Sequence, residues 1–162
     1  MQANANALLK QAITMVEKLG IETGEIVPNV KLVNVTSYWG KCTRKGDSHY
    51  ITLNKKLIQA NVEGALETLI HEVLHTVKGC MNHGETWKSL AKKVNTTYGT
   101  NISRATSATE NGTQEFILAT SKYVMECDRC GHGLGRDRMS NFVKHPEDYI
   151  HPNCGGKFKR VK

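Results

Sequence analysis

The sequence predicts an α+β domain followed by a small cysteine-rich β module. Hydrophobic residues repeat at helical spacing in three stretches, and β-branched residues cluster between the first two of them. Three of the five cysteines lie beyond residue 126. Ordinary domains contain about 100 to 200 residues, so a chain of 162 residues can hold one domain and an appendage. We therefore expect a domain at residues 1–120 and a β module at residues 121–162.

The first predicted helix covers about residues 4 to 19 and precedes the predicted strands. The pattern ends before Gly20, and its apolar stripe consists of Leu8, Ala12, Met15, Val16 and Leu19. The segments VKLVNVTSYW at 30–39 and HYITLN at 49–54 are rich in β-branched residues, and a polar GDS turn precedes the second. We expect this region to form a small antiparallel sheet.

The clearest helical pattern lies in the middle of the chain and is expected to be the core helix. Its apolar residues recur every three or four positions until Gly79, namely at Val62, Ala65, Leu66, Leu69, Ile70, Val73, Leu74 and Val77. A further stripe that begins at Trp87 predicts a helix at about residues 85 to 96. The polar stretch 95–121 is expected to be an irregular connection, with a short helix or strand at 115–119.

The composition limits the class of protein and its partners. Twenty-two Lys and Arg residues against 15 Asp and Glu residues give a net charge of +7, which favours polyanions such as nucleic acid. No apolar run reaches the roughly 18 to 20 residues of a membrane span, and the N-terminal segment lacks the order of a signal peptide. An odd number of cysteines, crowded at one end, is typical of metal ligation. We expect a cytoplasmic protein with no membrane partner.

An H-E-x-x-H motif, His71-Glu72-Val73-Leu74-His75, lies inside the predicted core helix. Residues four positions apart share one face of a helix, so His71 and His75 can bind the same Zn²⁺. Zinc lowers the pKa of a bound water toward about 7, and Glu72 can take its proton as the water attacks a carbonyl. The motif therefore predicts zinc-dependent amide hydrolysis with Glu72 as the catalytic base. The alternative is a pair of surface histidines on an ordinary helix.

A catalytic zinc requires a third protein ligand and one open position. His83 fits this role, because Gly79 allows the chain to turn back after the helix. The spacing differs from that of metzincins, whose third histidine follows the second by six positions. Two alternatives remain open: His83 caps the next helix, or the third ligand is Glu110 or Glu115.

The segment HEVLHTVKGCMNHGETW at 71–87 resembles the SprT-like metallopeptidases, whose pattern is an H-E-x-x-H helix followed by H-G-x-x-aromatic. His83, Gly84 and Trp87 match the second element. The resemblance implies that the three histidines bind zinc and that Glu72 is the catalytic base. It also implies a zincin-like fold for residues 1–120, and a zinc ribbon after the protease domain is common in the family.

The C-terminal module carries ligands for a second metal site. The sequence C-D-R-C at 127–130 has the spacing of a zinc knuckle, and a second pair of ligands is required about twenty residues later. The predicted structural zinc site consists of Cys127, Cys130, His151 and Cys154. His132 or His145 could replace His151. A redox C-x-x-C is disfavoured because no βαβ unit surrounds the motif.

These features together predict a zinc metalloendopeptidase with one catalytic and one structural zinc and a protein substrate. The resemblance suggests substrates associated with DNA, as in DNA–protein crosslink repair. Candidate nucleic-acid contacts in the basic tail are Arg136, Arg138, Lys157, Lys159 and Arg160. Candidates for stabilising the oxyanion are Tyr50, Tyr98, Tyr123 and Arg104. The alternative function is a non-catalytic nucleic-acid-binding zinc-ribbon protein with a vestigial protease-like domain.

Overall fold

A computed structural model describes residues 1–35, 37–105 and 113–162 of the chain. Helices and strands are both present in these ranges, which confirms the predicted α+β class. The residues fall into two units, Met1–Thr113 and Gln114–Lys162. The second unit begins earlier than residue 121, where the sequence placed the boundary, because the helix at 114–120 packs against the C-terminal sheet.

The N-terminal unit contains four helices and four strands among its described residues. They are α1 (Gln2–Glu17), β1 (Glu25–Ile26), β2 (Lys31–Val33), β3 (Gly40–Lys45), β4 (Ser48–Asn54), α2 (Lys55–Ala60), α3 (Val62–Leu74) and α4 (Glu85–Tyr98). The predicted helices correspond to α1, α3 and α4, whereas α2 was not expected. A single six-residue helix is too short to show a clear hydrophobic period.

β4 forms the centre of the N-terminal sheet. β3 pairs with one edge of β4 in the predicted antiparallel orientation, while β1 and β2 pair in parallel with the other edge. The sheet is therefore mixed, since β3 reverses the chain between β2 and β4. The predicted strand at 30–39 is shortened because Asn54 binds the connection to β3: its side-chain amide donates to the carbonyls of Val35 and Tyr38, at 2.6 and 3.1 Å.

The core of the N-terminal unit lies between α1, α3 and one face of the sheet. α3 packs against α1 and also contacts β3 and β4. The largest fully buried aliphatic side chains are Leu9, Val16, Val30, Ile51, Leu53, Leu57, Leu69, Ile70, Val73 and Leu74. Burying one such side chain stabilises the fold by roughly 1.5 to 3 kcal/mol. The second half of α3, which carries the H-E-x-x-H motif, is therefore fixed to the core along one side.

The C-terminal unit is a three-stranded antiparallel sheet with short helical segments. Its elements are α5 (Gln114–Thr120), β5 (Tyr123–Cys127), β6 (Gly133–Arg136), α6 (Asn141–Lys144), a 3₁₀ turn (Pro146–Asp148) and β7 (Phe158–Arg160), with strand order β6-β5-β7. The predicted short element at 115–119 is the helix α5. A small core is built from Met125, Cys127, Val143 and Phe158. In neither unit does a described helix have the length and apolar character needed to cross a bilayer.

Candidate metal centres

The H-E-x-x-H motif lies at the C-terminal end of α3. His71 and Glu72 belong to the helix, and His75 is the residue that caps it. The helix ends at Leu74, before the predicted end at Gly79, but the backbone of His75 keeps helical angles of φ −68° and ψ −15°. The two histidines therefore still share one face, as the spacing of four residues requires.

The turn after α3 brings His83 back over this face. Gly79 has a φ of +82°, in the left-handed region that favours glycine. The chain reverses there and enters α4, whose N-cap residue is Gly84. His83 therefore does not cap the helix, which was one of the alternatives. Its imidazole instead faces His71 and His75.

The Nε2 atoms of the three histidines converge on one point. His71 and His83 are 2.9 Å apart at these atoms, and each lies 3.2 Å from Nε2 of His75. Nitrogen ligands at about 2.0 to 2.1 Å from a tetrahedral zinc lie roughly 3.3 Å from one another. The triad therefore has close to the dimensions of a three-histidine metal site.

Two backbone carbonyls orient the imidazoles. His71 Nδ1–H donates to the carbonyl of Ser103 at 2.9 Å, and His75 Nδ1–H donates to the carbonyl of Cys80 at 2.7 Å. Because a carbonyl can only accept, the proton of each neutral ring is on Nδ1 and the lone pair is on Nε2. Metal-binding histidines are commonly held in this way. The lone pairs would repel each other without a cation, so the arrangement fits a bound metal.

The pKa values of His71 and His83 are lowered, which favours the unprotonated form that a metal requires. Burial, followed by the proximity of His75 and His83, lowers the pKa of His71 from 6.5 to about 3. Burial, His75 and the charge of Arg104 lower the pKa of His83. A depressed histidine pKa means that the unfolded chain binds more protons. The stability contributed by neutral His71 is therefore complete above pH 6.5 and is lost as the pH falls toward 3.

Trp87 packs against all three imidazoles. Its ring centroid lies 4.6 Å from those of His71 and His83, and it stacks on His75 at 5.6 Å with an interplanar angle of 24°. The indole is 2% exposed. The helical stripe identified Trp87 only as a core residue, since periodicity does not reveal which groups a buried ring contacts. The structure makes it the floor of the triad.

Replacing Trp87 is expected to weaken metal binding. Trp87→Phe keeps an aromatic ring under the imidazoles, whereas Trp87→Leu does not. Changes to groups that orient metal ligands typically cost about 10- to 100-fold in affinity. We expect zinc affinity to fall by about this factor for Trp87→Leu and to change little for Trp87→Phe, measured by chelator competition and followed by the imidazole NMR signals of His71 and His75. Equal affinities for the two variants would contradict the prediction.

Glu72 is a buried carboxylate beside the triad, with 6% of its surface exposed. Burial raises the pKa of Glu72 to about 7, although the backbone N–H of Cys42 donates to the carboxylate and acts in the opposite direction. Burial and the charge of Glu72 in turn raise the pKa of the Cys42 thiol to about 12. Glu72 is therefore poised to exchange a proton near neutral pH.

β3 lies against Glu72 because its first residue is a glycine. A Cβ atom on Gly40 would lie 2.7 Å from Glu72 Oε1 and 2.6 Å from Thr68 Cγ2, both closer than atoms can pack. Gly40 thus permits the close approach that allows the Cys42 N–H to reach the carboxylate. Sequence analysis did not identify either contact, because a backbone N–H leaves no signal in a residue pattern.

The structure distinguishes between the four candidates for stabilising the oxyanion. The Tyr98 hydroxyl donates to the carbonyl of Met15 at 2.9 Å, so it serves packing. Tyr50 pairs with Thr43 and lies on the sheet face opposite Ile51. Tyr123 belongs to the C-terminal unit. Arg104 is the candidate whose charge acts on the triad, through His83.

The alternative third ligands do not join the triad among the described residues. Glu115 is exposed in the first turn of α5, in the C-terminal unit. Glu110 lies outside the described residues. The structure thus brings His83, rather than Glu115, to the two histidines of the motif.

The C-terminal unit brings together Cys127, Cys130, His151 and Cys154. Sγ of Cys154 lies 3.4 Å from the sulfur atoms of Cys127 and Cys130, and Nδ1 of His151 lies 3.2 Å from those of Cys130 and Cys154. A disulfide would require about 2.05 Å. Four convergent ligands with no open position are typical of a structural zinc site.

The knuckle turn favours the thiolate form of Cys127. Burial acts to raise the pKa of this thiol. Hydrogen bonds from the backbone N–H groups of Cys130 and Arg129, together with those from the Cys154 and Cys130 side chains, outweigh it and bring the pKa to about 7. A thiolate is the form that binds zinc. The other candidate histidines lie outside the group: His132 stacks on His151 with centroids 4.9 Å apart, and His145 is exposed near Glu147.

The basic residues of the tail do not share one surface. Arg136 and Arg160 pair with Tyr123 and Met125, which face the same side of the sheet, whereas Lys159 pairs with Glu126 on the other side. The remaining two, Arg138 and Lys157, are exposed outside the strands. Lys159 also forms an ion pair with Glu126 at 3.5 Å, and the Arg136 guanidinium lies over the ring of Phe142 at 5.5 Å.

Comparison with known families identifies a match over the N-terminal unit. The sequence model of the SprT-like family matches residues 7–108, which is more than half of the chain. The matched range includes the three histidines of the triad, Glu72 and Trp87, and it ends before the cysteine group. A search of curated protein sequences finds no match to the chain.

Proposed function

The chain belongs to the SprT-like family, and we propose that it is a zinc-dependent metalloendopeptidase. The observation that carries the proposal is the position of Glu72, a buried carboxylate next to three converging imidazoles, with a pKa raised to about 7. A site that only stores or structurally binds zinc has no need for a carboxylate at this place. Hydrolysis requires a base there.

The residues of the chain divide the work of peptide hydrolysis as follows. When bound by the triad, zinc would supply Lewis-acid polarisation of the scissile carbonyl and of water. Glu72 accepts a proton from the attacking water, and the nearly neutral pKa allows it to return that proton to the departing amine nitrogen. The Cys42 N–H holds the carboxylate in place between the two transfers. Arg104, whose charge acts on His83, is the cationic group that we expect to stabilise negative charge on the oxyanion.

The four ligands of the C-terminal unit support a structural role for a second zinc. The group contains no acidic residue and has four ligands, so a water molecule has no coordination position. We propose that this zinc maintains a ribbon that contributes to substrate choice. The cysteines are unpaired thiols among the described residues, which supports a reducing compartment such as the cytoplasm.

We also propose that the substrates are proteins bound to DNA. The support is the family membership of the N-terminal unit and the excess of basic residues in the chain. In the tail, Arg138, Lys157 and Arg160 are exposed and free to meet phosphates, whereas Lys159 is engaged by Glu126. We therefore expect the first three to contribute more to binding than Lys159.

Metal removal tests the proposed activity. The full chain is expected to cleave an unfolded substrate such as casein, alone or in the presence of a single-stranded oligonucleotide. Dialysis against a chelator should abolish cleavage because the triad then lacks its Lewis acid, and stoichiometric zinc should restore it. The measurement is product formation by gel and mass spectrometry, with zinc content determined on the same samples.

Two results of this experiment would speak against the proposal. Cleavage that persists in metal-free protein would indicate a contaminating protease. Fully zinc-loaded protein that cleaves neither casein nor DNA-bound proteins would favour the non-catalytic zinc-ribbon protein instead.

A further inference from the structure

The sheet of the N-terminal unit has helices on one face and an exposed lysine-rich surface on the other. On the helix-covered face, Ile51 and Leu53 are buried and Gly40 abuts α3. Side chains alternate between the two faces of a strand. The strand residues that alternate with these buried positions therefore form the opposite surface. We call it the lysine face and define it by Lys31, Lys41, Lys45 and Tyr50.

The register of the strands sets the spacing of these side chains. Lys41, Thr52 and Lys31 are partners in one row across β3, β4 and β2. Neighbouring strands are about 4.8 Å apart and residues rise about 3.3 Å along a strand. The Cα atoms of Lys41 and Lys31 are therefore about 10 Å apart, and those of Lys41 and Lys45 about 13 Å apart.

Tyr50 lies among these lysines on the central strand. It pairs with Thr43, midway between Lys41 and Lys45 on the neighbouring strand, and 42% of its surface is exposed. The ammonium group of Lys45 lies 5.4 Å from the centroid of its ring. The lysine face thus combines an accessible aromatic ring with cations on both adjacent rows.

The charge of the lysine face is not neutralised from within. Of the strand residues on this surface, Glu25 alone is acidic. It lies in the row of Ser48 and Lys45, so three lysines against one glutamate leave the lysine face with an excess of two positive charges. The three lysines form no ion pair with any residue in the described ranges 1–35, 37–105 and 113–162. A surface with uncompensated cations around an exposed ring fits a polyanion that also carries flat rings.

We propose that the lysine face binds single-stranded nucleic acid, with the lysines at phosphates and a base stacked on Tyr50. A single strand presents phosphates and bases at once, because its bases are not held in base pairs. An acidic polypeptide would use the lysines but would have no use for the exposed ring. The proposal goes beyond the proposed peptidase activity, since this binding requires neither the metal triad nor Glu72.

Photocrosslinking and binding measurements on the full chain test this proposal. A single-stranded oligonucleotide with bromodeoxyuridine is expected to crosslink to the peptide that contains Tyr50. In fluorescence anisotropy, the triple variant Lys31→Gln, Lys41→Gln and Lys45→Gln should bind at least tenfold more weakly. The slope of its plot of log K against log salt concentration should become shallower by about two, since each lost phosphate contact contributes roughly 0.7 to the slope for a single strand.

Matched variants separate this surface from general charge effects and from the tail. Lys10→Gln, Lys18→Gln and Lys92→Gln remove the same charge from exposed positions on or beside α1 and α4, and should change affinity less than threefold. Tyr50→Ala should weaken binding about 5- to 150-fold, because stacking is worth about 1 to 3 kcal/mol per base, while Tyr50→Phe should bind like the wild type. A tail variant with Arg138→Gln, Lys157→Gln and Arg160→Gln should still crosslink at Tyr50.

Three results would overturn the proposal. The first is equal affinity for the two triple-lysine variants. The second is a crosslink confined to residues 114–162. The third is a poly-glutamate chain that competes with the oligonucleotide at equal charge while Tyr50→Ala has no effect, since this would make the lysine face a general anion surface. Casein cleavage by the same variants should remain at the wild-type rate, so a failure of this proposal is distinguishable from a failure of the peptidase proposal.

Discussion

Glu72→Gln is expected to abolish peptide cleavage while leaving zinc bound. The change keeps the size of the side chain, and its amide oxygen can still accept from the Cys42 N–H. The three histidines are untouched, as are the two carbonyls that orient His71 and His75. Loss of a general base typically lowers a rate by about 10²- to 10⁴-fold. We expect a loss of this size in cleavage of casein or of a DNA-bound protein, with unchanged zinc content.

A second glutamate on the same helix provides the matched control. Glu63 is exposed in the first turn of α3, away from the metal triad. Glu63→Gln removes the same charge and should cleave at the wild-type rate. A Glu72→Gln protein that cleaves as fast as Glu63→Gln would show that Glu72 is not the base.

The stability of Glu72→Gln gives an independent test of the burial of this carboxylate. The pKa of Glu72 is raised in the folded state, from 4.5 to about 7. Stability that depends on its protonated form is therefore complete below pH 4.5 and is lost as the pH rises through 7. At pH 8 the metal-free wild type carries an ionised buried carboxylate. The metal-free variant should consequently unfold at the same or a higher temperature.

Removing one ligand from either metal group is expected to cost the protein one zinc ion and leave the other in place. Elemental analysis should find about two zinc ions per chain, one for each group of ligands. His75→Ala should lose the zinc of the triad, and Cys130→Ser should lose the zinc of the C-terminal unit. Each loss should leave the other zinc in place, because the two ligand sets share no residue.

Cys130→Ser is also expected to unfold the C-terminal unit. The buried apolar core of that unit contains only Met125, Cys127, Val143 and Phe158. A structural zinc contributes on the order of 10 to 16 kcal/mol in small zinc-binding peptides, so its binding energy can exceed that of so small a core. The N-terminal unit has its own large core and should keep its NMR signals and its resistance to proteolysis.

A cysteine outside both metal groups serves as the control for this experiment. Cys42→Ser makes the same chemical change on β3 and should retain both zinc ions. One zinc in the wild type would show that the ligands are wrongly divided. Loss of both zinc ions from Cys130→Ser would show that the two groups depend on each other.

Much of the helical framework was predictable because packing against a core imposes a period on the sequence. α1, α3 and α4 all show that period, and the ligand groups that the structure brings together have spacings that follow from helix and knuckle geometry. The parallel pairing of β2 with β4 was not predictable. It depends on the reversal at β3 and on the Asn54 side chain, and neither leaves a period in the sequence.

The surroundings of the triad were harder to predict than its ligands. The carbonyls of Ser103 and Cys80 orient two imidazoles, yet every residue has a carbonyl. Trp87 was placed correctly on a buried helix face, but its contacts depend on the turn at Gly79. The lysine face, likewise, follows from the register of β3 and β4, which a pattern of β-branched residues does not fix.

The turn at Gly79 has a consequence for the kinetics of metal exchange. Two of the three ligands come from the end of α3, whose side chains are anchored in the core, while His83 comes from a turn that glycine allows to bend. Release of a metal ion would therefore begin with His83, the ligand whose displacement disturbs the fewest buried contacts. We therefore expect the opening of residues 76–84 to limit the residence time of the ion, whereas all three histidines contribute to its affinity.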